Sequence, residues 1–483
     1  MKGLYEQFQG RGKDSLLHRN LRMCTEEGVF ATPFIVLAIP GNVFIASLLT
    51  SVLGISESLY GFIVSLPSWA NALQILLIPL LSRHFSARTL SIYLALINVF
   101  LWLLLAGTLH RLPLEDPDLV GRLMVLYFVA ISLTQSLAGV SWMSWIQEWI
   151  PGRLRGKYFG RRNRILGLVT VAFILGTTEV FSQLGESMLA FQIILGVTCA
   201  FRLLSVYTLT HIYTPWSHPE KMIHEGWFTQ YTQLLKPGPF RTYLLFAAIL
   251  AFSLSLTGPF APVFMTRHLD FPVVRQTHLL ILASLSSALA MPLWGKLCDK
   301  HGCRPVIIFS SIFWMTQNYL WVILTPGSAW LLYPMWIWGG AFSGGVVLGG
   351  FNLVLKLTPT HLKTSGVSVH LAITSVAAAI PPILAGWFLG TAFLSGLDEN
   401  LRYRMLFLLS PTLILLSLFL LSRVDEPKAA SLSSFSGSFR TMRQILVQNG
   451  FLLAGNLTFF RYISKNVKTV IAKAGRKSTA DPD

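Results

Sequence analysis

A handful of polar residues interrupt long apolar runs in this chain, and their spacing puts several on shared helix faces. Glu179 shares a face with Gly176, Ser182 and Gln183. It reads as the carboxylate lying well inside an apolar run, and burial raises a carboxyl's pKa, so it is the group suited to carry a coupling proton. Arg202, on a face with Thr198 and Ser205, differs too much in depth to pair with it. An arginine in an apolar run is costly unless partnered, so bonds to backbone carbonyls are expected for it. Gln135, Gly139 and Trp142 recur at i, i+4 and i+7, which makes one wall of a glutamine and an indole. Such a wall could hold a ring-bearing or amphipathic solute by stacking and hydrogen bonding. Asn42 beside the Pro40-Gly41 break, Asn71, Gln74 and Trp336 complete the binding candidates. For the three asparagine and glutamine amides, helix–helix hydrogen bonding is the competing use.

These residues must be positioned by membrane-spanning helices. Apolar stretches cover 28–53, 58–81, 89–109, 120–146, 165–184, 188–211, 241–266, 276–297, 305–325, 328–355, 366–393 and 403–422. Crossing the hydrocarbon core takes about 20 apolar residues as a helix. Lipid offers the backbone no partners, so only helices or a closed barrel can span it. Runs this long and continuous exclude the barrel. The fold class is therefore an all-α membrane protein of twelve transmembrane helices.

A net charge of +17 could suggest a nucleic-acid ligand, but its distribution excludes that. Of 38 Lys and Arg, 31 fall in alternate gaps and tails, six in the other gaps, and Arg202 lies inside a span. That is the positive-inside pattern, and it predicts both termini in the cytoplasm of a multi-pass protein of the inner or plasma membrane. The surplus charge then faces anionic inner-leaflet lipid. The first 27 residues are polar and the first apolar run is too long for a signal h-region, so no secretory signal is read. Cys24, Cys199, Cys298 and Cys303 fall in spans or on the inside, where thiols stay reduced. Cys298, His301 and Cys303 lack the rest of a metal ligand set.

The longest interior gap, 212–240, divides six spans from six. The expected organisation is a tail (1–27), a bundle (28–211), a linker (212–240), a second bundle (241–422) and a basic tail (423–483). The halves echo each other: Pro40-Gly41 in span 1 answers Gly258-Pro259 in span 7, both helix-weakening pairs. Span 10 carries two G-x-x-x-G steps, Gly340/Gly344 and Gly345/Gly349, which permit close helix approach.

After span 8 the chain reads Gly295-Lys-Leu-Cys-Asp299-Lys300-His-Gly302-Cys-Arg304. This resembles the interior loop signature of the major facilitator superfamily, G-x-x-x-D-R/K-x-G-R/K-R/K, with Cys303 replacing one base. The corresponding loop of the first half keeps only Arg88. The resemblance implies two pseudo-symmetric six-helix bundles and a central cavity built mainly from spans 1, 4, 7 and 10. It also implies an interior gate. Gly295 would allow close helix approach, Gly302 a tight turn, and Asp299 would cap a neighbouring helix and pair with a base across the halves. Arg155, in the basic segment 153–164, is expected to join that gate with Glu148 or Asp299.

In the C-terminal tail, Phe460, Ile463, Val467, Val470 and Ile471 alternate with lysines as a basic amphipathic helix suited to the inner leaflet. No Walker loop is present, which argues against an ATP-driven pump in this chain. No cofactor and no enzymatic activity are expected, since no cluster of His, Asp or Glu marks a membrane face. The reading is a monomeric secondary transporter moving a small organic solute, neutral, apolar or weakly charged, by alternating access. The rival is a transport-inactive sensor or assembly factor on the same scaffold.

Overall fold

The computed structural model describes residues 16–39, 41–82, 84–150, 152–213, 227–359, 362–390 and 396–426. The amphipathic segment predicted in the C-terminal tail lies outside these residues. Among the described residues all regular structure is helical. Span 1 comprises Leu16–Leu37 and Val43–Ser47, followed by a π turn at Leu48–Val52. Spans 2 to 6 are Glu57–Leu81, Ala87–Thr108, Pro117–Trp149, Gly152–Leu184 and Met188–Thr210. Span 7 is Pro239–Thr257 and Ala261–His268, joined by a 3-10 turn at Gly258–Phe260. Spans 8 to 12 are Val273–His301, Cys303–Asn318, Leu332–Leu357, Lys363–Gly390 and Glu399–Ser422.

Ten of the twelve are long and apolar enough to cross a bilayer by length and composition. Span 1 is interrupted between Leu37 and Val43, and span 9 passes from α-helix to 3-10 geometry at Tyr319–Val322. Two boundaries differ from expectation for one reason. The segment read as a tail is helical from Leu16, and the basic segment 153–164 is the first part of span 5. Charged residues are tolerated in a helix that projects beyond the hydrocarbon core. Span 4, with 33 residues, would run about 50 Å at 1.5 Å per residue, well over the ~30 Å core.

Both predicted breaks form, and they meet. Asn42 caps the restart of span 1: its Oδ1 accepts from Ile45 N (2.9 Å). Its Nδ2 donates to Val36 O (2.7 Å) and Leu37 O (2.9 Å), the carbonyls that the break releases. A Cβ on Gly41 would stand 3.4 Å from the Pro259 ring of span 7.

The end of the protein that carries the basic gaps is called the basic end below, and the opposite end the far end. The apolar core is distributed unequally between them. Toward the far end one continuous cluster includes residues from both bundles, among them Phe44, Tyr60, Phe128, Phe260, Phe264 and Trp321. Toward the basic end the core separates into one cluster in the first bundle, around Trp145 and Trp149, and another in the second, around Trp294 and Leu297. Trp145 and Trp149 are thus core residues, at 1% and 3% exposure.

The glycines of span 10 do what their spacing predicts. A Cβ on Gly340 would sit 2.4 Å from Ala283 O of span 8, and one on Gly345 2.5 Å from Ser310 Oγ of span 9. Gly340→Leu should therefore lower the melting temperature of the purified protein, since overpacking costs about 1–3 kcal/mol. Gly167→Ala, at a position with open space around it, should leave it unchanged.

Candidate functional site

Spans 1, 2, 4 and 11 enclose a cavity of about 400 Å³. Asn71 and Gln74 from span 2, Gln135 and Ser136 from span 4, and Ser375 from span 11 supply its polar groups. Ile39, Pro67, Ile131 and Leu371 supply apolar surface. Three of the six sequence-derived binding candidates thus share one wall system. Ser136 Oγ lies 2.9 Å from Asn71 Oδ1 and 2.7 Å from Gln74 Oε1, which fixes the two amides of span 2 against span 4. Gln135 has no hydrogen-bond partner among the described residues and is half-buried, so its amide faces the cavity with donors and acceptor free. Volume and chemistry both fall in the range of small-molecule sites, a mainly apolar hollow with a few convergent polar groups.

The other candidates lie elsewhere. Asn42 is spent on the helix break, so the freed carbonyls do not face a solute. Trp142 sits beneath Arg162, whose guanidinium carbon is 5.0 Å from the ring centroid, so it belongs to the basic-end core. Trp336 lines a separate hollow of about 300 Å³ inside the second bundle, with Trp314, Gln317, Asn318 and Trp321.

Glu179 is exposed, on the face of span 5 that also carries Leu168 and Leu175 at 70% and 54% exposure. Gln183 Nε2 donates to its Oε1 (2.6 Å). It is exposed rather than buried and does not line the cavity, so the burial on which a coupling role was expected is not found. Arg202 also differs from expectation. It pairs with a side chain: its Nη1 lies 3.4 Å from Glu27 Oε1 and donates to Ser205 Oγ (2.9 Å). Arg162 Nη2 lies 3.1 Å from Glu27 Oε2, and Arg162 Nε donates to Cys24 O (3.1 Å). Glu27 is 3% exposed. Reading the first span from residue 28 placed this carboxylate in a tail. Its signal was present, because Cys24, Glu27, Ala31 and Phe34 form one buried helical face.

Comparison with known proteins settles the family. The profile of the Major Facilitator Superfamily matches residues 34–272 and 243–467. The chain belongs to the major facilitator superfamily. Its fold is that of a membrane transporter and not of an enzyme, and its two six-helix bundles follow the superfamily's plan. A proline/betaine transporter of Escherichia coli (strain K12) is 25% identical over 137 residues, and the chain spans about a quarter (26%) of that relative's length. Among solved structures, the nucleoside transporter NupG superposes with a TM-score of 0.63 at 14% identity, covering 83% of this chain and 98% of that one. A D-xylose–proton symporter gives 0.64 at 15% identity, with 84% and 97% covered. A bacterial homologue of the human lysosomal transporter Spinster, inward-facing and occupied, gives 0.64 at 14%, with 87% and 100% covered.

The superfamily's interior loop is present but makes no latch in this structure. Gly302 turns span 8 into span 9 at φ 93°, as its type predicts. Asp299 and Lys300 are exposed, and Asp299 has no hydrogen bond or ion pair among the described residues. The capping role expected of Asp299 is taken by Glu426, after span 12. Its two oxygens accept from Cys303 N (2.9 Å) and Arg304 N (2.7 Å), and Lys356 Nζ lies 3.0 Å away. This clamp lies within the second bundle and does not cross to the first. Gly295 meets only Leu348 Cδ2, at an ordinary 3.9 Å, so it creates no unusually close approach. The Arg155 side chain lies outside the described residues.

Closure is instead at the far end, which sequence reading did not foresee. Arg267 of span 7 bonds Glu57 of span 2, with Glu399 of span 12 at 3.6 Å. Glu186 of the first bundle accepts from Ser47 Oγ (2.6 Å) and from Val273 N (3.0 Å), the first residue of span 8. Tyr60 Oη donates to Pro259 O (2.7 Å), and the Thr178 and Thr277 hydroxyls are 2.7 Å apart. Spans 2 and 11 touch backbone to backbone: a Cβ on Gly61 would lie 2.2 Å from Pro382 O, and one on Gly386 2.4 Å from Glu57 O. An isolated, partly exposed ion pair is worth about 0.2–1 kcal/mol, so the helix contact outweighs the Arg267 pair.

Four outcomes are expected. Glu27→Gln strands two buried arginines, so it should cost about 3–5 kcal/mol of stability, whereas Glu179→Gln should change the melting temperature little. A thermal unfolding series separates them. Gly61→Val should hold the far end apart, and a cysteine placed at buried Thr50 should then react faster with a membrane-impermeant thiol reagent applied from the far side. Glu57→Gln should give a smaller acceleration in the same assay.

Proposed function

We propose that this superfamily member is a secondary transporter for a small, uncharged or zwitterionic organic solute bearing hydrogen-bonding groups. The observation that carries the reading is the cavity of Asn71, Gln74, Gln135 and Ser136. It has amides, hydroxyls and apolar surface, and no charged side chain among its lining residues. A solute with a net charge would leave water there without a counter-charge, which is expensive. Recognition is therefore by amide and hydroxyl hydrogen bonds over an apolar floor.

The moving bodies are the two bundles, residues 28–211 with the helix extended back to Leu16, and residues 241–422, joined by the linker 212–240. With the basic end in the cytoplasm of the plasma membrane, as the charge distribution favours, both tails are cytoplasmic. The sealed far end then corresponds to an inward-facing state. Alternating access requires the far-end contacts to break when the basic end closes. The exposed Asp299 and Lys300 become available to the first bundle in that closed form. A single chain carries the complete cavity, so the transporting unit is a monomer.

The test is a thermal-shift panel of neutral and zwitterionic solutes on the purified protein, followed by uptake in proteoliposomes. A ligand that binds only the folded state raises the melting temperature by mass action. A hit should lose about tenfold affinity in Gln135→Ala, as expected for one lost hydrogen bond of about 1–1.5 kcal/mol. A hit that binds but produces no flux would favour a sensor on this scaffold. Stabilisation only by anionic solutes would overturn the reading.

A further inference from the structure

A second feature has no part in that cavity. The buried group of Glu27, Arg162 and Arg202 holds two guanidinium groups on one carboxylate and so keeps an uncompensated positive charge. Arg162 is 9% exposed and spends Nε and Nη2 on Cys24 and Glu27. Its Nη1 has no hydrogen bond to a described residue. Beside it, between spans 1 and 5 at the basic end, is a hollow of about 480 Å³ lined by Arg22, Thr25, Tyr158, Arg161 and Arg162. Arg22 is matched by Glu26 at 2.8 Å, while Arg161 has no ion pair among the described residues.

The hollow continues in a definite direction. Along span 1 the lining residue Thr25 is followed at i+4 and i+8 by Val29 and Pro33. Along span 5, Ile165 is followed by Val169, Phe173, Gly176 and Val180. These line an apolar groove of about 390 Å³, walled on its other side by Ile193 and Val197 of span 6. Ile193 and Val197 are 40% and 49% exposed, so the groove opens sideways to the bilayer. The stretch from Ile165 to Val180 is about 22 Å long at 1.5 Å per residue, more than the ~15 Å hydrocarbon depth of one leaflet. A cationic hollow at the basic end is thus followed, about one helical turn further along the same two helix faces, by an apolar groove.

We propose that this groove is a binding site for an anionic phospholipid. Its phosphate sits against Arg161 and the open edge of Arg162 and offsets the surplus charge of the Glu27 group. One acyl chain lies along Val29, Pro33, Phe173 and Gly176. A zwitterionic phospholipid brings a compensating cation and gains less at the head site. Occupancy stiffens the joint between spans 1 and 5; Thr178 of span 5 makes a far-end contact with Thr277, and Ser47 of span 1 holds Glu186, which accepts from the start of span 8.

The test is native mass spectrometry of the detergent-purified full chain with phosphatidylglycerol or phosphatidylcholine of identical chains, with melting temperatures in parallel. Inorganic phosphate serves as the free-anion control. The expected result is retention of phosphatidylglycerol about tenfold over phosphatidylcholine, reflecting a charge-assisted contact. Arg22→Gln with Arg161→Gln, at exposed positions, should reduce that preference. Gly176→Phe, where an added Cβ meets nothing within 4 Å, should fill the tail groove and reduce retention of both lipids. Equal binding of the two lipids by the unaltered protein would overturn the proposal. So would retention unchanged in both variants. If inorganic phosphate stabilises as much as phosphatidylglycerol and Gly176→Phe has no effect, the hollow is a free-anion site and the lipid assignment fails.

Discussion

The contact between Gly61 and Gly386 is the constraint on which this conformation depends. Because neither residue has a side chain, spans 2 and 11 approach until backbone meets backbone, and the two bundles lose their separation at the far end. The shared aromatic core around Tyr60, Phe260 and Phe264 then has no room for solvent. Polar groups that would be unsatisfied in such a core find partners across the same seam: Tyr60 with Pro259, Thr178 with Thr277, Glu186 with the start of span 8. The ion pairs of Arg267 decorate a closure that packing already produces. A transporter must be able to undo its seal, and a seal of van der Waals contact plus single hydrogen bonds separates without leaving large charges stranded.

Charge is used differently inside the bundles. Glu27 ties spans 1, 5 and 6 together, and Glu426 ties the end of span 12 to spans 9 and 10. Each carboxylate serves more than one donor, as the low dielectric requires. Neither tie crosses between bundles, so neither resists their relative motion. The bundles can rock as bodies because the costly electrostatics are internal to each. The cavity on their seam is lined without charge, so the ties that hold the helices lie apart from it.

How much of this was legible beforehand follows from which forces are local. Span number, the basic end and the superfamily were readable, because apolar length, loop charge and the loop around Gly302 are properties of contiguous sequence. Asn71, Gln74 and Gln135 were identified as lining candidates from type and depth alone, and the fold brings them together. Glu179 was expected to be buried and is exposed, because depth does not tell which way a helix face points, and that is set by packing of span 5 against spans 1 and 8. Glu27 was missed because a span boundary drawn by hydropathy excludes the charged turn that a neighbouring arginine makes tolerable.

The sequence by itself determined that the chain crosses the membrane as helices, which end is basic, where spans 1 and 7 break, and which residues are small enough for close packing. These follow from solvation and backbone sterics within a few turns of helix. Only the tertiary structure decided that Glu27 answers Arg202, that Glu426 takes the capping place suggested for Asp299, and that the far end is sealed. Each of those is a choice among partners distant in sequence. It is made by which helix faces can pack together, a question that no single segment contains.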